Sequence, residues 1–278
     1  MECFVRSIPV HYEERGEGRP ILMLHGMPTD HRQIMYEMEP LFAQRSGWRR
    51  LYLDLPGMGQ TPGADSISSQ DDMLEVALAF LDALALGERF VVAGLSYGGY
   101  LARGVVYRRR TQLDGVLLGA PAVHPNRATR RLPPHQVLVQ DPTMVAALMP
   151  DEQLVTQVAV VQSPEYLDHF RAAIKPGILV ADNSFLERFD AQPAFSFPMD
   201  DLPEPCPAPT LIVTGRQDSI CGYQDAMDLL ESFTRGTLVV LDRAGHGLAT
   251  EQKALYDVLV GEWLDRVEEY ASLVRAAQ

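Results

Sequence analysis

Cysteine is scarce and scattered in this chain: Cys3, Cys206 and Cys221 are odd in number, far apart and without a Cys-x-x-Cys pair. That argues against a disulfide scaffold and a thiolate zinc site, and leaves reduced packing residues as the expectation. A run of about 18 apolar residues, the length a membrane helix needs, is also missing, so neither a membrane span nor a membrane partner is expected. The opening stretch MECFVRSIPVHYEERGEG lacks an apolar segment behind its charges and a small-residue cleavage site. It does not read as a secretory signal, and a cytoplasmic location is the expectation. Positive charge is short: 24 Lys plus Arg stand against 37 Asp plus Glu, a net charge of -13 that repels nucleic acid. The basic exceptions, Arg108 to Arg110 and Arg127 to Arg131, have no interleaved aromatics to stack bases and read as a helix C-terminus and a solvated loop.

Cofactor signatures are absent too. Pro62 stands where a dinucleotide fingerprint beginning at Gly57-Met58-Gly59 requires its third glycine, and no His-Glu-x-x-His or clustered His and carboxylate set appears. Neither a cofactor nor a metal is expected; the expected partner is a small-molecule substrate, and a homodimer is compatible with the reading.

What is present is an alternation of short β-rich runs with helical periods, which predicts an α/β fold with a mainly parallel sheet flanked by helices. The runs are Ile21 to Leu24, Leu51 to Leu53, Phe90 to Ala93, Val116 to Leu118, Leu211 to Val213 and Leu238 to Leu241. Val5, Ile8, Val10 and Tyr12 suggest an antiparallel edge hairpin. Met73, Val76, Phe80, Leu81 and Leu84 recur at helical steps, as do Leu101 and Val105; in a last helix from about Gln252 to Val274, Leu255, Val258, Leu259 and Leu264 form the expected core stripe. Between Pro121 and Pro209 the alternation breaks into helical stretches, Asp151 to Val161 and Pro164 to Ile174, followed by the proline-rich PMDDLPEPCPAP. The expected organisation is a core of residues 1–120 and 209–278 with a helical cap, 121–208, inserted between them.

The chemistry concentrates in a few places. Gly94-Leu95-Ser96-Tyr97-Gly98 follows one strand run and precedes a helix, the setting of a nucleophile elbow, where side chains at 94 or 98 would strike neighbouring backbone. A serine needs a base to be nucleophilic near neutral pH. His246, between Gly245 and Gly247 after the Leu238 to Leu241 run, is the candidate base, and Asp218, after the Leu211 to Val213 run, is the candidate acid that orients it. Acyl transfer also requires backbone N–H groups aimed at the developing oxyanion, each worth roughly 3 to 4 kcal/mol; Met27, in Leu24-His25-Gly26-Met27-Pro28, and Tyr97 are the candidates. His25 reads as a support for that loop through hydrogen bonding.

Taken together, HGMP, DLPGMGQT, GLSYGG, GRQDS and GHG resemble the α/β-hydrolase fold family, in the branch with an inserted cap. The resemblance covers about residues 4 to 120 and 209 to 275. It implies a Ser96, Asp218, His246 triad, oxyanion donors at Met27 and Tyr97, and a loop from Asp54 to Gly59 that shapes the adjoining backbone. Serine at position 96 sets the chain apart from haloalkane dehalogenases and epoxide hydrolases of this fold, which use aspartate there. HGMPT departs from the His-Gly-Gly-Pro-Gly of prolyl aminopeptidases. The resulting expectation is a carboxylesterase-like serine hydrolase with an apolar pocket beneath the cap. The alternatives are a carbon-carbon bond hydrolase of ring-cleavage products and a slow ligand receptor or scaffold of the same fold.

Overall fold

The computed structural model describes residues 1–276 apart from 86, 88 and 191–193; the last two residues of the expected core segment, 277–278, lie outside the described residues. Strands β1 (Glu2–Val5), β2 (Ile8–Arg15), β3 (Arg19–Leu24), β4 (Trp48–Leu53), β5 (Phe90–Leu95) and β6 (Leu113–Gly119) come first. After two short strands in the insertion, β7 (Val139–Gln140) and β8 (Val161–Gln162), β9 (Thr210–Gly215) and β10 (Gly236–Leu241) complete the series. The main sheet runs β1-β2-β4-β3-β5-β6-β9-β10; β1 and β2 are antiparallel to their neighbours and the remaining pairs are parallel. The expected edge hairpin is formed by β1 and β2 and turns at Arg6 and Ser7, both at positive φ, while Gly16 and Gly18 carry the chain from β2 toward β3.

Alternation of side chains across the pleat divides the core in two. Leu22, Leu24, Leu51 and Val92 face α2 (Gln70–Ala85) and α3 (Tyr97–Arg109); Ile21, Met23, Tyr52 and Val91 face α1 (His31–Phe42) and the final helix, Lys253–Ala276. That final helix buries Tyr256, Val260, Trp263, Leu264, Val267 and Ala271. Leu255 and Val258, expected in the core, are instead 52% and 69% exposed. The two large aromatics set the helix's rotation, and Trp263 fixes it by donating its indole N–H to Pro209 O at 3.0 Å.

Between β6 and β9 the chain forms α4 (Pro142–Ala146), α5 (Leu154–Val158), α6 (Pro164–His169), a π-helical turn (Phe170–Ile174), α7 (Lys175–Val180) and α8 (Asn183–Asp190), with β7 and β8 paired in parallel. Met144, Val155, Ala159, Tyr166, Leu167 and Phe170 give this insertion a small core of its own. The expected helix from Asp151 to Val161 is broken after Val158, whereas the one from Pro164 runs past Ile174 to Val180. Short helices α9 (Gln224–Met227) and α10 (Leu248–Glu251) follow β9 and β10, and α11 is the final helix, Lys253–Ala276. Among the described residues no helix is long and apolar enough to cross a membrane.

β3 has β4 on one side and β5 on the other, so successive connections leave its C-terminal end in opposite directions. Parallel sheets open a crevice at such a switch point. The loops after β3 and β5 carry Met27 and Ser96.

Candidate active site

Ser96 joins β5 to α3 at φ 53° and ψ -117°, a strained combination for a residue with a side chain. The turn closes only because its neighbours are glycines. A Cβ on Gly94 would lie 2.2 Å from Gly98 O, and one on Gly98 would lie 2.1 Å from Leu24 O. Tyr97 opens α3, so its N–H belongs to the helix N-terminus, whose partial positive charge suits an anion. Across the crevice, a Cβ on Gly26 would sit 3.2 Å from Ser96 Cβ, which puts the Gly26-Met27 backbone beside the serine.

That backbone is braced from below. Leu55 N–H donates to His25 Nε2 at 3.0 Å while His25 Nδ1 bonds Gly26 O at 2.7 Å, so His25 joins the β3 loop to the β4 loop. Asp54 accepts from His31 N and Nδ1 and from Gln60 N, at 2.8 to 2.9 Å. Gly59, at φ +57°, has no room for a Cβ, which would fall 2.3 Å from the Asp54 carboxyl. His11, His31 and Asp54 thereby bring ligand-type atoms within 4.8 Å of one another; both Asp54 oxygens are engaged by His31 and Gln60.

Asp218 and His246 meet because the ends of β9 and β10 are pressed together: a Cβ on Gly215 would lie 2.3 Å from Gly245 O. Asp218 is fully buried, its Oδ1 accepting from Ile220 N at 2.8 Å and Cys221 N at 3.0 Å, its Oδ2 3.0 Å from His246 Nδ1. With Nδ1–H donating to the carboxylate, Nε2 is the imidazole's remaining nitrogen. Burial pulls the His246 pKa down, but Asp218 and Cys221 outweigh it and hold it well above its ordinary value. Ser96 Oγ contacts Cys221 Sγ at 3.7 Å; among the described residues no Ser96–His246 hydrogen bond is formed in this conformation. Both residues border one cavity of about 230 Å³ together with Gly26 and Met27, roofed by Leu154, Val155, Val158, Tyr166, Phe170, Ile174 and Ile178 of the insertion.

Sequence reasoning missed four groups here. Cys221, read as a packing residue, is in contact with Ser96. Glu37 and His169 both line the cavity. Glu251 bridges the His246 loop to the insertion, accepting from Gly245 N at 2.5 Å, Val160 N at 2.6 Å and Val161 N at 3.1 Å. Glu37 left a trace, a glutamate within the buried face of α1 formed by Ile34 and Met38; the others depend on contacts between distant segments. Arg127 to Arg131 is largely exposed, but it is more than a solvated loop: Arg127 donates to Ser219 O at 3.0 Å, Arg130 to Ile220 O at 3.0 Å, and Arg131 pairs with Asp225, so its arginines also clamp the Asp218 loop.

The profile of the Alpha/beta hydrolase family matches residues 21–258. The chain is 26% identical to the AB hydrolase superfamily protein YisY of Bacillus subtilis over 92% of its own length and 95% of that protein's. It is 24% identical to 2-hydroxymuconate semialdehyde hydrolase of a Pseudomonas species over 97% of this chain and 95% of that enzyme. An alpha/beta superfamily hydrolase from Oenococcus oeni superposes with a TM-score of 0.88 at 26% identity, covering 96% of this chain and 99% of that one.

Proposed function

The chain belongs to the alpha/beta hydrolase family, and within it we propose that this protein is a serine hydrolase that cleaves a small-molecule ester through an acyl-enzyme. Ser96 is the nucleophile, His246 the general base, Asp218 the acid that orients it, and the N–H groups of Met27 and Tyr97 the oxyanion donors. The insertion acts as a cap over the acyl-binding cavity. The observation that carries this reading is the 3.0 Å pair of Asp218 Oδ2 and His246 Nδ1 at the rim of the cavity that Ser96 borders.

In the first half-reaction Ser96 Oγ leaves Cys221, attacks the acyl carbonyl and gives its proton to His246 Nε2. The tetrahedral oxyanion collapses, the C–O bond to the alcohol breaks, and the departing alkoxide takes that proton. A water molecule, deprotonated in turn by His246, then attacks the acyl-enzyme and frees the carboxylic acid and Ser96. Asp218 stays ionised and holds the imidazole tautomer.

A second reading, hydrolysis of a carbon-carbon bond in a ring-cleavage product, has support from the near full-length likeness to 2-hydroxymuconate semialdehyde hydrolase. Assays of p-nitrophenyl acetate and butyrate with wild type and Ser96→Ala, folding checked by circular dichroism, test the primary reading. Turnover by wild type alone supports it. Turnover by both proteins at the same rate removes Ser96 as nucleophile, and turnover by neither favours the second reading.

A further inference from the structure

Among the polar side chains of the cavity that the acyl-transfer chemistry leaves unused, Glu37 and His169 face one another. Glu37 comes from the buried face of α1 and His169 from the end of α6, and both border the cavity with Ser96 and His246. Glu37 Oε1 and His169 Nε2 lie 3.8 Å apart, with side chains only 9% and 5% exposed. That separation is too long for a hydrogen bond. Among the described residues His169 Nε2, fully buried, has no hydrogen-bond partner. The ring is nonetheless held firmly: Nδ1 shares a 2.6 Å hydrogen bond with Thr250 Oγ1, and one face stacks on Tyr36 at 4.5 Å and 9°. A buried polar atom fixed in place without a partner is unfavourable unless something else fills the gap.

The charge states narrow what fits. Burial pushes the Glu37 carboxyl up to about 8, partly offset by His246, and pulls the His169 imidazole down to about 4. Near neutral pH the pair therefore consists mainly of a carboxylic acid, which donates and accepts, and a neutral imidazole with one open nitrogen. A single oxygen can sit about 2.8 Å from each of two groups so spaced. A hydroxyl matches both partners at once. A carboxylate there would leave water to face a carboxylic acid and a neutral imidazole, neither of them a cation, and an ammonium would require Glu37 to ionise first.

We propose that Glu37 and His169 form a polar subsite of the cavity that recognises an uncharged hydroxyl on the substrate. The claim that this substrate is an ester rests on the assignment of Ser96 above; the recognition itself does not.

The experiment compares kcat/KM for p-nitrophenyl butyrate with its 2-, 3- and 4-hydroxy, amino and carboxy counterparts, and for ethyl butyrate with 2-hydroxyethyl butyrate. The first group reads a hydroxyl on the acyl side and the second one on the alcohol side. Wild type is expected to favour one hydroxylated ester over its parent by roughly tenfold or more, since sites built to bond a hydroxyl discriminate strongly against its absence. His169→Phe, which keeps a ring against Tyr36, and Glu37→Leu are each expected to bring that ratio near one, while Glu37→Gln keeps part of it. Reading a ratio within each protein removes any general loss of activity. Binding of the same esters to Ser96→Ala by calorimetry separates recognition from turnover. If wild type cleaves nothing yet Ser96→Ala binds a hydroxylated ester more tightly, the subsite stands and the hydrolase assignment falls. If Ser96→Ala binds parent and hydroxylated esters alike, or if the amino or carboxy counterpart is preferred, the subsite is overturned whatever is cleaved.

Discussion

Cys221 Sγ lies 3.7 Å from Ser96 Oγ and 3.8 Å from Arg130 Nη1, so a thiol is wedged between the proposed nucleophile and the arginine that ties down the Asp218 loop. The same thiol helps to hold the His246 pKa up. Cys221→Ala removes both effects at a packing cost of about 1 kcal/mol. The acid limb of kcat/KM against pH is expected to move to lower pH, raising activity severalfold near pH 6. A profile superimposable on wild type would show that the sulfur has no hold on the imidazole.

For wild type itself the direction of the pH dependence follows from His246. The imidazole acts as a base only when neutral, and its pKa lies well above the ordinary 6.5, burial being overcome chiefly by Asp218. Ester hydrolysis should accordingly fall as pH drops through a midpoint above 6.5 and be fuller on the alkaline side. Asp218→Asn removes the charge and favours the wrong tautomer. A loss in kcat on the order of 10³- to 10⁴-fold is expected, with the folded state intact by circular dichroism; retention of a tenth or more of wild-type kcat would assign the orienting role elsewhere.

The parts of this molecule that could be read from the sequence are those whose cause is local. Gly94 and Gly98 announce the turn at Ser96 because the backbone contacts they permit are with near neighbours and with the adjacent strand. The inner strands of the parallel sheet, buried on both faces, appear as short apolar runs. The phase of α11 is not legible in its sequence, because a stripe through Leu255 and Val258 satisfies the period as well as one through Tyr256 and Trp263; only docking against the sheet chooses between them. The helix expected to reach Val161 ends early because Val160 and Val161 give their N–H groups to Glu251, about ninety residues farther along. Cys221 meets Ser96 across 125 positions, and no spacing rule reaches that far.

Glu251 is also where the fold of the insertion and the site become one problem. Its carboxylate takes three backbone N–H groups, two from the insertion and one from the loop that carries His246. Glu251→Gln replaces an acceptor with an amide NH₂ that must face an N–H donor, leaving a buried donor unsatisfied at a cost of about 1 to 3 kcal/mol. The expected outcome is a lowered Tm together with a raised KM, as the roof over the cavity loosens relative to its floor. Should Tm fall while KM for butyrate esters stays fixed, the bridge serves stability alone.

Glu37 offers the clearest test of buried charge. Its pKa rises from an ordinary 4.5 to about 8 because burial disfavours the carboxylate, with His246 opposing. In the unfolded chain the group has released its proton by pH 6, while in the folded protein it still holds it, so the folded state binds more protons and stability falls as pH rises across this window. The stability is fully present below pH 4.5 and is lost progressively until the folded-state value near 8 is passed, a linkage worth at most ~5 kcal/mol. Glu37→Gln keeps the shape and removes the titration. Its Tm relative to wild type should therefore climb between pH 5 and pH 8.5, measured by scanning calorimetry in the two buffers. Parallel Tm curves for the two proteins would mean that Glu37 ionises as freely in the folded cavity as in water, and the neutral acid on which hydroxyl recognition depends would not exist.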